Sequence, residues 1–245
     1  MECNAGDICR GLIDLIFPPR CTASGKMLEG RRSPPFCEEC DADLRLIFPP
    51  LCPSCGTPYA DQTAADHHCE KCILFPPSFS AARSVGAYEG VLQDMIHRCK
   101  YGRDVTIGEA LGELMADFPY PAFDFRDYTV VMPVPLHVKR LRERGFNQSL
   151  FLAKAMAGRH KLKLDYLSLK RTIHTPPQIT FGRQEREHNV KGAFAVRTSA
   201  KLQGEKVILV DDVYTTGSTA KECARTLIRA GASTVAVLTL SRALS

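Results

Sequence analysis

The sequence predicts an α/β protein: a mostly parallel sheet flanked by helices, preceded by an N-terminal cysteine-rich module of zinc-ribbon type. Three observations predict it. A cysteine-bearing segment is repeated near the start, apolar runs alternate with helix-periodic stretches from about Ala81, and a strand–turn–helix junction near the end carries paired aspartates followed by small hydroxyl residues. A chain of 245 residues suits one ordinary α/β domain plus a smaller module. Hydrophobic residues at 44% and charged ones at 24% are globular values, so a packed core is expected. The net charge of +5 permits an anionic partner, although a solvated basic surface is the plainer reading.

The repeat comes first. Leu15-Ile16-Phe17-Pro18-Pro19-Arg20-Cys21-Thr22-Ala23-Ser24-Gly25 recurs as Leu46-Ile47-Phe48-Pro49-Pro50-Leu51-Cys52-Pro53-Ser54-Cys55-Gly56, and each copy is followed by a second pair, Cys37 with Cys40 and Cys69 with Cys72. Most of the eleven cysteines fall in this region, and such clustering reads as metal binding in a reducing compartment rather than a disulfide framework. Two thiolates spaced by two residues on a tight turn reach one tetrahedral Zn²⁺, which makes Cys52, Cys55, Cys69 and Cys72 a complete structural zinc set. The first copy has Ser24 where the second has Cys55, leaving Cys21, Cys37 and Cys40. A serine hydroxyl is a poor zinc ligand, so that site is empty, weakened, or completed by Cys3 or Cys9; a weakened or lost site is the expectation. Spacing leaves open whether pairs combine within a copy or interleave between copies. The proline-rich Ile73–Ser78 segment closes the module, dividing the chain into 1–80 and 81–245.

In the larger unit, Ile107, Ala110, Leu111, Leu114, Met115 and Phe118 recur at helical spacing and predict an amphipathic helix. Tyr128–Met132 reads as a strand stopped by Pro133, and a helix is expected over 147–158. Apolar runs at 164–169, 193–196, 207–210 and 234–240 read as buried strands. Ala220, Cys223, Ala224, Leu227 and Ile228 mark a helix ending near Gly231. Strands separated by helices imply right-handed crossovers and a parallel sheet. Cys99 and Cys223 fall on apolar faces and read as core thiols.

Where the strand Val207–Val210 ends, Asp211 and Asp212 precede Val213-Tyr214-Thr215-Thr216-Gly217-Ser218-Thr219. Hydroxyl residues and a glycine at a helix N-terminus present backbone N–H groups to a phosphate. Paired carboxylates just before them can accept hydrogen bonds from two ribose hydroxyls. An ordinary capped corner is the plain alternative. A response-regulator phosphoacceptor pair would lie on the first strand of its domain rather than on one of the last. No Gly-x4-Gly-Lys-Ser/Thr loop occurs.

Residues 207–219 resemble the phosphoribosyl-pyrophosphate signature of type I phosphoribosyltransferases. The chain as a whole resembles the ComF family of competence-associated proteins, which includes relatives labelled GntX. The cysteine repeat, Lys100-Tyr101-Gly102, Pro133-Val134-Pro135-Leu136, Arg144-Gly145-Phe146-Asn147-Gln148, Thr175-Pro176-Pro177-Gln178 and Arg183-x-x-Arg186-x-x-Asn189 carry the match, in that order. Ser24 departs from it. The resemblance implies that Asp211, Asp212 and Thr215–Thr219 bind phosphoribosyl pyrophosphate with Mg²⁺. It also implies that the turn at Val134, Pro135 and Leu136, after the first core strand, meets pyrophosphate. Arg144 is a candidate phosphate contact in the basic stretch 139–144, and Asn147 a candidate cap. The segment 175–189 would be a lid, with Arg183 and Arg186 as pyrophosphate clamps and Gln178 and Asn189 as positioners. Because only five residues follow the last expected strand, a hood over the acceptor is expected from 81–125 or from the zinc module, or else is missing.

Two functions follow from the resemblance: a phosphoribosyl-pyrophosphate-binding protein acting with single-stranded DNA and the DNA-uptake machinery, or an active phosphoribosyltransferase of base or nucleotide metabolism with no DNA role. A purely structural adaptor is a third. Turnover is open. No signal-peptide pattern or bilayer-length apolar stretch is present, so a cytoplasmic protein without membrane insertion is expected.

Overall fold

The computed structural model describes residue 14 and residues 16–30, 32–61, 63, 65–174, 190–197 and 202–244. Cys3, Cys9, Gln178, Arg183, Arg186 and Asn189 lie outside the described residues.

Each ribbon is a knuckle turn followed by a short helix, α1 (Glu38–Ala42) or α2 (Glu70–Leu74). The two knuckles are built alike. Gly25 donates to the Cys21 carbonyl and Gly56 to that of Cys52, at 2.7 and 2.8 Å. Both glycines have positive φ, which a side chain would resist. Cys37 and Cys69 each stand at the N-cap of the following helix.

The larger unit begins with β1 (Ala81–Ala87), followed by α3 (Gly90–Gly102) and α4 (Val105–Asp117). Next come β2 (Val130–Pro133), α5 (Val138–Arg144), α6 (Gln148–His160) and β3 (Lys163–Leu164). After them lie β4 (Leu169–Arg171), β5 (Phe194–Val196), β6 (Lys206–Tyr214), α7 (Ser218–Arg229) and β7 (Thr234–Arg242). The sheet order is β1-β7-β6-β2-β3 and every pairing within it is parallel, so the predicted α/β class holds. β4 and β5 form a separate antiparallel ribbon.

Alternation along β6 builds both layers of the core. Ile208 and Val210 face Met95, Ile107, Leu111, Leu152 and Met156 of α3, α4 and α6. Val207 and Leu209 face Cys223, Ala224 and Leu227 of α7 together with Phe194 of β5. Cys99 and Cys223 are buried core thiols, as the periodicity implied. Tight packing of α4 on α6 needs glycine: a Cβ on Gly112 would lie 3.0 Å from that of Ala155.

Several boundaries depart from the sequence reading. The strand carrying the aspartates continues through them to Tyr214, because Asp211 and Val213 still pair with Thr239 and Ser241 of β7. The run 164–169 is not one strand: Asp165 caps a turn there, accepting from Leu167 N and Ser168 N at 3.0 Å, and ends β3 after two residues. β2 is also not the first strand of the sheet. β1 precedes it, an edge strand built from Ala-Ala-Arg-Ser-Val-Gly-Ala, whose small and polar residues give little strand signal. The outer side of β1 is taken by the ribbons: Ala82 N donates to Ser54 O, Ile47 N to Val85 O and Ala87 N to Arg45 O, at 2.7–2.9 Å.

Candidate functional site

Parallel strands end together at the C-terminal edge of the sheet, and the aspartate pair stands there. Asp211 Oδ1 accepts from Ser149 Oγ of α6 at 2.9 Å and from Asp212 N at 2.9 Å. Asp212 is 7% exposed and forms an ion pair with Lys100 of α3. Gln148, at the first turn of α6, lines the same small cavity as Asp212. Removal from water, reinforced by the neighbouring Asp212 charge, pushes the Asp211 carboxyl up to about 7. Burial acts the same way on Asp212, but the Lys100 ammonium overrides it and holds that carboxyl below the ordinary range. Burial likewise opposes the Lys100 charge, and Asp212 more than restores it, raising the lysine above its usual value. The two adjacent carboxyls are therefore driven apart in acidity, one inclined to hold a proton and the other fixed as an anion.

The chain then turns into α7. Gly217, at φ 76°, is the N-cap and has no side chain to cap with; Thr216 Oγ1 accepts from Ser218 N at 3.4 Å instead, and the first turn of this 12-residue helix faces the loop. Thr216 Oγ1 and Ser218 Oγ lie 2.6 Å apart across this entrance. A Cβ on Gly217 would stand 2.2 Å from the Tyr214 hydroxyl, so glycine is required there on both counts. Thr215, Thr216 and Ser218 thus surround a helix N-terminus that follows two carboxylates, while Thr219 lies within the first turn of the helix.

The turn after β2 reaches the same edge. Pro133 pairs with Val210, and Val134 N donates to Val210 O at 2.8 Å, so Val134, Pro135 and Leu136 leave the sheet beside the aspartates. Asn147 Nδ2 fixes this turn by donating to Val134 O at 3.0 Å, and its Oδ1 caps α6 through Ser149 N. Arg144, at the end of α5, donates to Gln148 Oε1 at 2.6 Å and lies over the Tyr101 ring at 5.7 Å. It is therefore held next to Gln148, a neighbour of Asp212.

Lys100, Gln148 and Ser149 had no separate role in the sequence reading. Their signal was present in weak form: Lys100 continues the buried stripe of Leu92, Ile96 and Cys99 at helical spacing, where a lone lysine calls for a buried anion.

The cysteines form two clusters, Cys52, Cys55, Cys69 and Cys72, and Cys21, Cys37 and Cys40, each with sulfurs within 4.8 Å of one another. Pairs combine within each copy and do not interleave. Tetrahedral Zn²⁺ with bonds of about 2.3 Å requires sulfurs about 3.8 Å apart. Cys55 and Cys69 meet this at 3.7 Å, so the donor set fits zinc. The four-cysteine ribbon also borders the loop between β6 and α7. Lys71 Nζ donates to Thr216 O at 3.3 Å, and Arg242 Nη1 donates to Cys55 O at 2.8 Å while its guanidinium lies over the Tyr214 ring. Between ribbon and loop runs a cleft of about 1130 Å³, lined in part by Phe48, Tyr59, Lys71, Thr215, Thr216 and Lys221. Among the described residues, no helix is long and apolar enough to cross a membrane.

Comparison with known proteins agrees with this two-part organisation. Residues 12–73 match the family described as double zinc ribbon domain, and residues 147–245 the family described as phosphoribosyl transferase domain. The chain is 34% identical over 196 residues to the DNA utilization protein YhgH of Escherichia coli, covering 79% of this chain and 84% of that protein. It is 29% identical over 245 residues to competence protein F of Haemophilus influenzae, covering 96% and 95% respectively. Competence protein ComFC of Bacillus subtilis is 28% identical over 216 residues, covering 84% and 83%.

Proposed function

Because the chain belongs to the ComF family of competence-associated proteins, with a double zinc ribbon joined to a phosphoribosyltransferase domain, we propose that it binds phosphoribosyl pyrophosphate with Mg²⁺ at the junction of β6 and α7. One observation carries the proposal: a carboxylate pair, buried at Asp212 and partly buried at Asp211, followed directly by a helix N-terminus whose N-cap glycine has no side chain, two features that match opposite ends of a ribose 5-phosphate. Asp211 and Asp212 accept from the ribose hydroxyls, and Thr215, Thr216, Gly217, Ser218 and Thr219 surround the 5′-phosphate. The ribose hydroxyls take the place at Asp212 that Lys100 holds in the free chain. Val134, Pro135 and Leu136 border the pyrophosphate, with Arg144, Arg183 and Arg186 as its cationic neighbours, and Mg²⁺ accompanies its charge. In any transfer reaction the protein would contribute position and a site for the departing anion.

Residues 1–80 serve in this reading as the metal-bound module and 81–245 as the phosphoribosyltransferase-like unit. The thiol-rich ribbons suit a reducing, cytoplasmic setting. Names such as DNA utilization protein and competence protein among the relatives support a role with single-stranded DNA and the uptake machinery, without membrane insertion. Enzymatic turnover on a base or nucleotide acceptor is the second reading, favoured by the opposed acidities of Asp211 and Asp212.

Calorimetric titration with Mg²⁺-phosphoribosyl pyrophosphate tests the site. The Asp211→Ala, Asp212→Ala double variant loses binding by about a hundredfold or more, since two charge-assisted pairs are removed at about 1.5–3 kcal/mol each, with zinc content unchanged. Unaltered affinity would remove the assignment. Release of pyrophosphate in a screen of bases, nucleosides and oligonucleotides separates the two readings.

A further inference from the structure

The two ribbons share a backbone plan but differ at one corner of the metal tetrahedron. Cys21 N donates to Lys26 O as Cys52 N does to Thr57 O, and the bridge Arg20–Met27 repeats as Leu51–Pro58. The equivalence extends to the fourth corner: Ser24 Oγ lies 3.5 Å from Cys37 Sγ, where Cys55 Sγ lies 3.7 Å from Cys69 Sγ. Yet the surroundings differ. Cys55 is 7% exposed, and a Cβ on Gly56 would collide with Ala82 O at 2.3 Å, because that knuckle is pressed against β1. Ser24 is exposed, and a Cβ on Gly25 meets nothing within 4 Å. Arg98 of α3 holds the first knuckle from behind, donating to Ala23 O at 2.5 Å and to Thr22 O at 3.3 Å.

We propose that the first ribbon binds Zn²⁺ through Cys21, Cys37 and Cys40 alone, leaving at Ser24 a solvent-facing coordination position that accepts an external monothiol. Three thiolates on Zn²⁺ leave a net charge of −1, and the neutral Ser24 hydroxyl is too weak a donor to keep water away. A closed four-thiolate site resists exchange, whereas an open position is the hallmark of zinc that takes outside ligands. The step is a ligand substitution without redox change: the zinc–water bond breaks, a zinc–sulfur bond forms, and the thiol proton passes to solvent. The result reproduces the charge and donor set of the second ribbon.

The test uses the full chain loaded with Co²⁺ in a thiol-free phosphine reductant, with metal content and X-ray absorption as readouts. Two metals per chain are expected, averaging three and a half sulfur ligands each. Adding β-mercaptoethanol raises the average to four, and Ser24→Cys reaches four without it and no longer responds. One metal per chain would overturn the proposal, as would four sulfurs per metal before any thiol is added. If Cys3→Ala or Cys9→Ala lowers the sulfur count of the otherwise unchanged chain, the fourth corner is closed from within and the open position does not exist. The thiol response of the wild-type chain decides the matter even if Ser24→Cys folds poorly.

Discussion

Lys100 and Asp212 carry the largest electrostatic commitment among the described side chains, since both are largely withdrawn from water, at 17% and 10% side-chain exposure. Breaking such a pair from one side leaves an uncompensated charge, which typically costs about 3–5 kcal/mol. Lys100→Met is therefore expected to destabilise the chain by about 3 kcal/mol in urea denaturation. Adding Asp212→Asn should recover much of the loss, and an unrecovered loss would assign it to packing instead. Asp211 makes the opposite prediction. Its carboxyl binds a proton more tightly in the fold than in the unfolded chain, with about 7 against 3.8. Its stabilising contribution is full below 3.8 and is lost as the pH rises through about 7. Asp211→Asn keeps the neutral form at every pH, so its melting temperature should gain on the wild type between pH 4 and 7. Parallel curves would mean that Asp211 ionises as an ordinary aspartate.

At the scale of elements, the contact of α4 with α6 depends on residues that present almost no side chain. Gly112→Val would press on Ala155 Cβ and, at 3.3 Å, on Phe151 O. Overpacking of this kind costs about 1–3 kcal/mol, to be read as a lower denaturation midpoint with zinc content unchanged. Such elements also mark how far the sequence could be read. The helix at 107–118, the helix after Asn147, the strands at 207 and 234 and the helix from Ser218 were legible because each has a clear apolar run or period. β1 was not, because Arg83 and Ser84 interrupt its pattern and lean on distant partners. Ser84 bonds Thr239 at 2.7 Å, and Arg83 bonds Pro53 O at 2.9 Å. The basic stretch 139–144 was legible only by its charge, and it lies in the helix α5, ended by Gly145 at φ 88°. Within the site, Asp211, Asp212 and the hydroxyl loop announced themselves by adjacency in sequence. Lys100, more than a hundred residues away, could join them only through the packing of α3 on the sheet.

Across the whole molecule, the four-cysteine cluster and the β6–α7 loop share a wall. Arg242, 4% exposed, donates to the Cys55 carbonyl on one side and covers the Tyr214 ring at 4.7 Å on the other. Loss of zinc should loosen this wall and weaken phosphoribosyl-pyrophosphate binding by about fivefold or more, the lower range of ordinary coupling between sites. Arg242→Ala should weaken binding in the same sense, and chelation should then add little; additive losses would show that the two regions act independently. The outer edge of β1 has a consequence of a different kind, set in time. β1 waits for β7, its sheet neighbour, until about 150 further residues have been made, as the Ser84–Thr239 separation of 155 indicates. During synthesis an unpaired strand is an invitation to association with other chains. The ribbons precede β1 along the chain and supply Ser54, Ile47 and Arg45 to one side of it. The zinc module can thus act as an escort for the nascent chain, covering one side of a strand before its sheet neighbour is translated.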